Sequence, residues 1–290
     1  MAHHTDSQKR LVATLVLTGV IFALQLAGAL ASGSLSLLSN AGHLFTDVGS
    51  LGVALYAAKI QDNQPTAQLS YGFGRSGTVA AFANGLLLAA IGIALIVTST
   101  FRFFHPAQVD VGIMIWVTLV TLLLNLVEVT LVRKPDIEDF NRKSIYWHVL
   151  GDSLSSLGIL VAALMIRLTG WPGWDPAAAL VVGVIILWSS YQVARPSVLA
   201  LMEAVPEVHK LGDVESTMRQ HPSVMDVHHI HLWSLAPGYH ALSAHVRIQA
   251  GSIQEGQAVI RELTKTLGQA HGIQHVTIQM EADAHPDDEF

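Results

Sequence analysis

A chain of 290 residues that is 51% hydrophobic and only 13% charged is too apolar for an average soluble domain, where about 25% of residues carry charge. It reads as a membrane protein, and its formal charge of −6, with acids crowded into the last third and into Glu281–Phe290, argues against a nucleic-acid partner. The absence of cysteine rules out disulfides and thiolate sites, so any metal must be held by His, Asp, Glu or backbone oxygen.

In chain order, Met1–Arg10 is a polar tail without a signal-peptide pattern, and charge-poor runs of spanning length follow. They fall at Leu11–Ala31, Leu37–Ile60, Gly77–Phe101, Val111–Val132, Ser144–Leu168 and Pro176–Ala194. Breakers mark the connections: Ser32-Gly33-Ser34, Asn63-Gln64-Pro65, His105-Pro106, Lys134-Pro135-Asp136 and Trp171-Pro172-Gly173. An even number of spans puts both termini on one side. Lys9, Arg10, Lys59, Arg75, Arg133, Lys134, Arg142, Lys143 and Arg195 share that side, against Arg102 and Arg167 opposite, which predicts cytoplasmic termini.

After Pro206 the periodicity changes. Val208–Gln220 reads as a short helix, Val224–Leu235 and His240–Ala250 as strands around a Pro237-Gly238 turn, Ile253–Ala270 as an amphipathic helix and Ile273–Glu281 as a last strand. The order αββαβ predicts a small ferredoxin-like α+β domain with helices on one sheet face. Strand alternation puts Ile230, Leu232, Leu242, Ala244, Val246, Val276, Ile278 and Met280 on the apolar face, with His229, His231, His245 and Glu281 on the other. The expected organisation is an N-terminal tail over 1–10, six transmembrane helices over 11–200, a cytoplasmic domain over 201–282 and an acidic tail over 283–290.

Two of the spans carry the same polar pattern, H-x-x-x-D, at His43/Asp47 and His148/Asp152. Residues four apart share one helical face, so each pair points an imidazole and a carboxylate in one direction. Burying a charge at mid-membrane costs about 2.5–3.5 kcal/mol even on the lenient insertion scale, so four such residues in matched pairs call for a function. Facing helices would make a His2Asp2 cage, which suits tetrahedral Zn(II), with Co(II), Ni(II), Fe(II), Mn(II) or Cd(II) as competitors. Two carboxylates against one divalent ion leave a neutral centre. Because histidine binds metal only when neutral, metal uptake and proton uptake oppose each other, and a proton gradient can drive the cation the other way.

The remaining polar positions have plainer readings. Gln25, Asn40, Asn84, Asn125 and Glu128 lie within or near spans; Asn84 and Asn125 read as interhelical hydrogen-bonding groups, and Glu128 as a side chain reaching the cytoplasmic interface. Gly28, Gly33, Gly85 and Gly92 read as close-packing positions. In the last domain His231, His245 and Glu281 share a sheet face at metal-ligand spacing, whereas His209, His221, His228, His240 and His271 read as solvated side chains.

Ser34-Leu-Ser-Leu-Leu-Ser-Asn-Ala-Gly-His43-Leu-Phe-Thr-Asp47 and Trp147-His148-Val-Leu-Gly-Asp152 resemble the second-helix and fifth-helix motifs of the cation diffusion facilitator family, in its zinc-transporting branch. Tyr71-Gly-Phe-Gly-Arg75, Val227-His-His-Ile-His231-Leu-Trp233, Ser243-Ala-His245-Val and Thr277-Ile-Gln-Met-Glu281 are similar to further landmarks of that family, so the resemblance runs nearly end to end. It implies a homodimer that exports Zn2+ from the cytoplasm in exchange for protons, with His43, Asp47, His148 and Asp152 as the transport site. It also implies metal positions at His231, His245 and Glu281 in a cytoplasmic domain that helps dimerise. The chain departs from the family pattern at Gly74, where relatives carry a histidine of an accessory site, and it lacks the histidine-rich loop of eukaryotic relatives, which suits a bacterial inner-membrane protein. An intramembrane metalloenzyme is the alternative, disfavoured because four protein ligands leave no open coordination position and no H-E-x-x-H motif is present. A metal-responsive membrane sensor is the other.

Overall fold

A computed structural model describes residues 2–61, 63–132 and 140–282, except the side chains of residues 2–13, 15, 50, 51, 54, 55, 58 and 131–148. The expected acidic tail and the loop joining the fourth and fifth spans fall outside the described residues. Contacts divide the chain into two units, Met1–Val53 with Ala83–Ala194, and Ala54–Phe82 with Arg195–Phe290.

Six long helices come first: α1 Ala2–Ser32, α2 Leu35–Gln61, α3 Ser76–Phe104, α4 Val111–Val132, α5 Phe140–Thr169 and α6 Trp174–Leu201. Among the described residues, four helical stretches, Ser76–Phe104, Val111–Thr130, Val149–Thr169 and Trp174–Leu201, are long and apolar enough to cross a membrane, and α1 adds a shorter apolar stretch, Val16–Ser32. The polar segment expected as a tail is instead the first part of α1, since neither Gly nor Pro interrupts the chain before Gly19. Gly33 ends α1 in the left-handed region, φ 72°, with its N–H donating to Ala29 O at 2.9 Å. Ser34 Oγ then accepts from Leu37 N at 3.2 Å and starts α2, and Asp110 Oδ1 accepts from Ile113 N at 3.0 Å and starts α4.

Within the first unit α4 packs against α1 and α5. Ala29, Leu37, Met114, Ile159, Ala162, Ala163 and Ile166 form one buried cluster drawn from α1, α2, α4 and α5. Leu88, Leu95, Val182 and Ile186 form a second, between α3 and α6. Small residues set the close approaches: a Cβ at Gly28 would lie 2.7 Å from the Val117 side chain, and one at Gly85 2.9 Å from Ala194 Cβ. Glu128 does not reach the interface as the sequence predicts. It is 2% exposed and accepts from Thr18 Oγ1 at 2.6 Å, because its face of α4 turns toward α1 rather than toward the helix end. Asn125 Nδ2 donates to Ser156 Oγ at 3.0 Å across α4 and α5, as expected of an interhelical amide.

The second unit contains α7 Leu211–Arg219, β1 Val224–Ala236, β2 Tyr239–Ile248, α8 Ile253–His271 and β3 Ile273–Glu281. The sheet order is β1-β2-β3, with β1 and β2 antiparallel about the Pro237-Gly238 turn and β2 and β3 parallel across α8. Ser252 caps α8, its Oγ accepting from Glu255 N while Glu255 Oε2 accepts from Gly251 N. The core joins Val214 and Met218 of α7 and Val259, Leu263 and Leu267 of α8 to Val227, Leu232, Leu242, Ala244 and Val246 of the sheet. Burying each large aliphatic of this set contributes about 1.5–3 kcal/mol. The predicted apolar face is present, with Ile230, Val276, Ile278 and Met280 at its edge.

The connection from α2 to α3 belongs to this second unit. Arg75 Nη2 pairs with Glu203 Oε1 at 3.0 Å, the Tyr71 ring stands edge-on to His275 at 5.7 Å, and Gly74 lies against the Leu235 carbonyl.

Candidate metal centre

The i, i+4 spacing on α2 brings His43 Nε2 to 3.7 Å from Asp47 Oδ2. From α5, Asp152 Oδ1 reaches the same nitrogen, also at 3.7 Å. One ligand atom from each of the three residues lies within 4.8 Å of the others. A tetrahedral zinc with bonds near 2.0–2.1 Å needs ligand atoms about 3.4 Å apart, so small side-chain rotations close this set on an ion. His148 belongs to α5, one turn before Asp152, but its side chain lies outside the described residues.

Asp152 is 5% exposed. A cavity of about 580 Å3, bounded by His43 and Asp152 and by residues of α5 and α6 including Ser155, Ser189 and Ile186, opens onto the group. Gly151 and Gly158 leave space in its α5 wall. Around the ligands, Thr46 Oγ1 donates to His43 O at 2.6 Å within α2, and Asn40 Nδ2 donates to Gln25 Oε1 of α1 at 2.6 Å, a bond that fixes the rotation of α2. Two carboxylates so close in apolar surroundings favour a divalent cation.

A second cluster lies in the αββαβ domain. His228, His229 and His245 each offer a nitrogen within 4.8 Å of the others. Glu281 joins them, its Oε2 3.2 Å from His228 Nε2 and its Oε1 2.9 Å from His245 Nδ1. His231 does not join. It is exposed and pairs across the ladder with Ser243. The cause is a bulge: the register shifts between His228 and His231, and His229 has φ 49°. One extra residue flips the alternation, so Val227 turns into the core and His228, read from the sequence as solvated, turns toward His245.

Family profiles match both parts of the chain. Residues 11–202 match one described as the cation efflux transmembrane domain, and residues 202–283 one described as the cation efflux protein cytoplasmic domain. The chain belongs to the cation efflux family. Similar members include a cadmium, cobalt and zinc/H(+)-K(+) antiporter of Bacillus velezensis, 34% identical over 99% of this chain and 92% of the relative. The zinc transporter ZitB of Escherichia coli is 32% identical over 97% of this chain and 93% of the relative, and the metal cation efflux system protein CzcD of Cupriavidus metallidurans 30% over 96% and 88%.

In this cation efflux protein the space beside Gly74 is taken by backbone, since a Cβ there would lie 2.6 Å from Leu235 O. A larger residue at that position requires the chain to shift. Four further histidines of the C-terminal domain are engaged rather than freely solvated. His221 Nε2 meets Glu262 at 3.3 Å, His271 Nε2 meets Thr217 Oγ1 at 2.8 Å, and the His209 and His240 rings meet edge-on at 4.8 Å. Burial lowers the pKa of His209, with His240 and His271 adding repulsion, and burial lowers that of His240. Beside the second cluster, burial raises the pKa of Asp226, but the Arg219 guanidinium outweighs it and holds the carboxyl below its ordinary value. Asp226 Oδ2 in turn lies 3.2 Å from His228 Nδ1 and orients that ring.

Proposed function

We propose that this cation efflux protein exports Zn2+ from the cytoplasm in exchange for protons, with His43, Asp47, His148 and Asp152 as the transport site. The observation that carries the reading is the convergence of His43, Asp47 and Asp152 from two helices beside a cavity. Zinc leaves water for imidazole nitrogen and carboxylate oxygen, the two carboxylates balance its charge, and no redox chemistry is needed. Imidazole holds zinc only in its neutral form and gives it up when protonated on the acidic side, so the ligands themselves couple the two fluxes. Alternate exposure of one site between helices completes the cycle.

Relatives named as transporters and antiporters fit this reading better than an enzyme. The cadmium and cobalt in a relative's name fit a site built from nitrogen and oxygen, whose selectivity rests on geometry and metal supply. The distribution of basic residues supports cytoplasmic termini in a bacterial inner membrane. The C-terminal domain serves a homodimer, with zinc at His228, His229, His245 and Glu281 tightening it. The test is zinc flux in reconstituted vesicles under an imposed pH gradient. Gradient-driven flux in wild type that disappears in Asp47→Ala and Asp152→Ala supports the assignment; undiminished flux in either variant overturns it.

A further inference from the structure

Helix α6 starts in one packing cluster and continues in another. Trp174 and Ala178 pack against the cluster of α1, α2, α4 and α5, whereas Val182 and Ile186 pack with Leu88 and Leu95 of α3. Further along, Ser190 Oγ donates to Gly85 O at 2.9 Å, so α3 and α6 hold each other. The cavity beside His43 and Asp152 opens where α6 passes from one cluster to the other, and its α6 wall includes Val181, Val182, Ile185 and Ile186.

At its first turn α6 is fastened to α2 by a carboxylate. Asp175 is 0% exposed. Its Oδ1 accepts from Ser34 Oγ at 2.6 Å, Ser36 Oγ at 2.6 Å and Ser36 N at 3.1 Å, and its Oδ2 accepts from Leu35 N at 2.6 Å. Two of these donors are N–H groups that the first turn of α2 cannot satisfy internally, at the end where the helix dipole favours an anion. Helix α3 meets the connection just before that turn, Arg102 Nη1 donating to Gly33 O at 2.7 Å. From Ser36 to His43 is two turns of α2, about 10 Å along the axis.

We propose that Asp175, held by Ser34, Leu35 and Ser36, is the pivot on which the α3–α6 pair moves against the helices carrying the metal ligands, and hence a positioning residue for transport. The inference rests on the transport reading above. The four bonds at the pivot are directional and charge-assisted, roughly twice as strong as neutral ones. The apolar contacts along the cavity are not directional and can slide. Motion therefore concentrates at the cavity while the α2–α6 junction stays closed. The aspartate charge matters because an amide at 175 would keep the size but present an N–H2 group to donors.

The experiment uses full-length wild type, Asp175→Asn and the double variant Ser34→Ala/Ser36→Ala, reconstituted in vesicles and purified in detergent. Each also carries Ile185→Cys as a label site in the cavity wall, which is the sole thiol because the natural chain has no cysteine. Asp175→Asn should lower the maximal zinc flux at least about tenfold with KM and zinc affinity within about threefold, the pattern of a group that acts on turnover rather than on binding. Maleimide labelling of the thiol introduced by Ile185→Cys should respond to zinc in the otherwise wild-type background and lose that response in Asp175→Asn. The double variant, which keeps the backbone donors, should fall between, and it decides the matter alone if Asp175→Asn does not fold. Wild-type flux and zinc-dependent labelling in the variants overturn the pivot. So does a loss of zinc affinity that matches the loss of flux. Absence of flux in wild type overturns the transport reading instead.

Discussion

His43 Nε2 and Asp152 Oδ1 stand 3.7 Å apart, one from α2 and one from α5. If the two hold one ion, removing either carboxylate of the set should cost more than disturbing a supporting group. Asp152→Ala and Asp47→Ala are each expected to lower zinc affinity by more than about 100-fold, the upper range seen for outer partners of ligands. Equilibrium zinc competition on purified protein checks this. Gln25→Ala, which removes the acceptor for Asn40, should cost about tenfold.

Proton competition should be visible at the same site. Zinc affinity should fall as the pH is lowered, approaching about tenfold per pH unit for each proton the ion must displace. A competition titration from pH 7.5 to pH 5.5 measures the slope, and a flat profile would contradict ligand protonation as the coupling step.

In the C-terminal domain the bulge at His229 separates two ligand sets. His228→Ala and His245→Ala should each weaken zinc binding at least about tenfold, while His231→Ala should leave it within about twofold. The measurement is zinc titration of full-length protein carrying Asp47→Ala to silence the other site. Losses in His231→Ala and His245→Ala with none in His228→Ala would favour the alternation read from the sequence.

Acid should destabilise this domain. His209 and His240 have folded pKa values below their unfolded ones, so they favour the folded state above about pH 6.5 and the unfolded chain takes up protons more readily below it. Asp226 acts in the same direction at lower pH, its contribution being present above its unfolded pKa of 3.8 and lost as pH falls further. Hydrogen-exchange protection factors, corrected for the intrinsic pH dependence of amide exchange, should therefore fall in peptides of β1 to β3 between pH 7 and pH 5.5, and less so in His209→Gln/His240→Gln.

Gly85 allows α3 to reach Ala194. A Cβ there would lie 2.9 Å from Ala194 Cβ and 3.1 Å from its backbone, so Gly85→Val should cost about 1–3 kcal/mol by overpacking. A lower thermal midpoint in detergent, with zinc binding retained, is the expected result.

The order of the elements and most of the breaks between them were legible in the chain because breakers and periodicity are local. Gly33 and the Pro237-Gly238 turn each act within a few residues, and the doubled H-x-x-x-D pattern is a statement about one turn of helix. The same locality failed at Glu128, where proximity to a helix end predicted exposure but contact with α1 decided burial. It failed again at His228, because strand alternation carries no sign of a bulge whose extra residue is histidine rather than glycine.

By itself, then, the sequence determined which residues could ligate and which helical face each occupied. Tertiary structure decided which of them meet: it set Asp152 against His43, placed His228 rather than His231 beside Glu281, and turned Asp175 into the clasp of α2. The physical reason is that ligation and capping depend on distances of a few ångströms between atoms far apart in the chain. Those distances are set by helix packing and strand register, which local propensity does not encode.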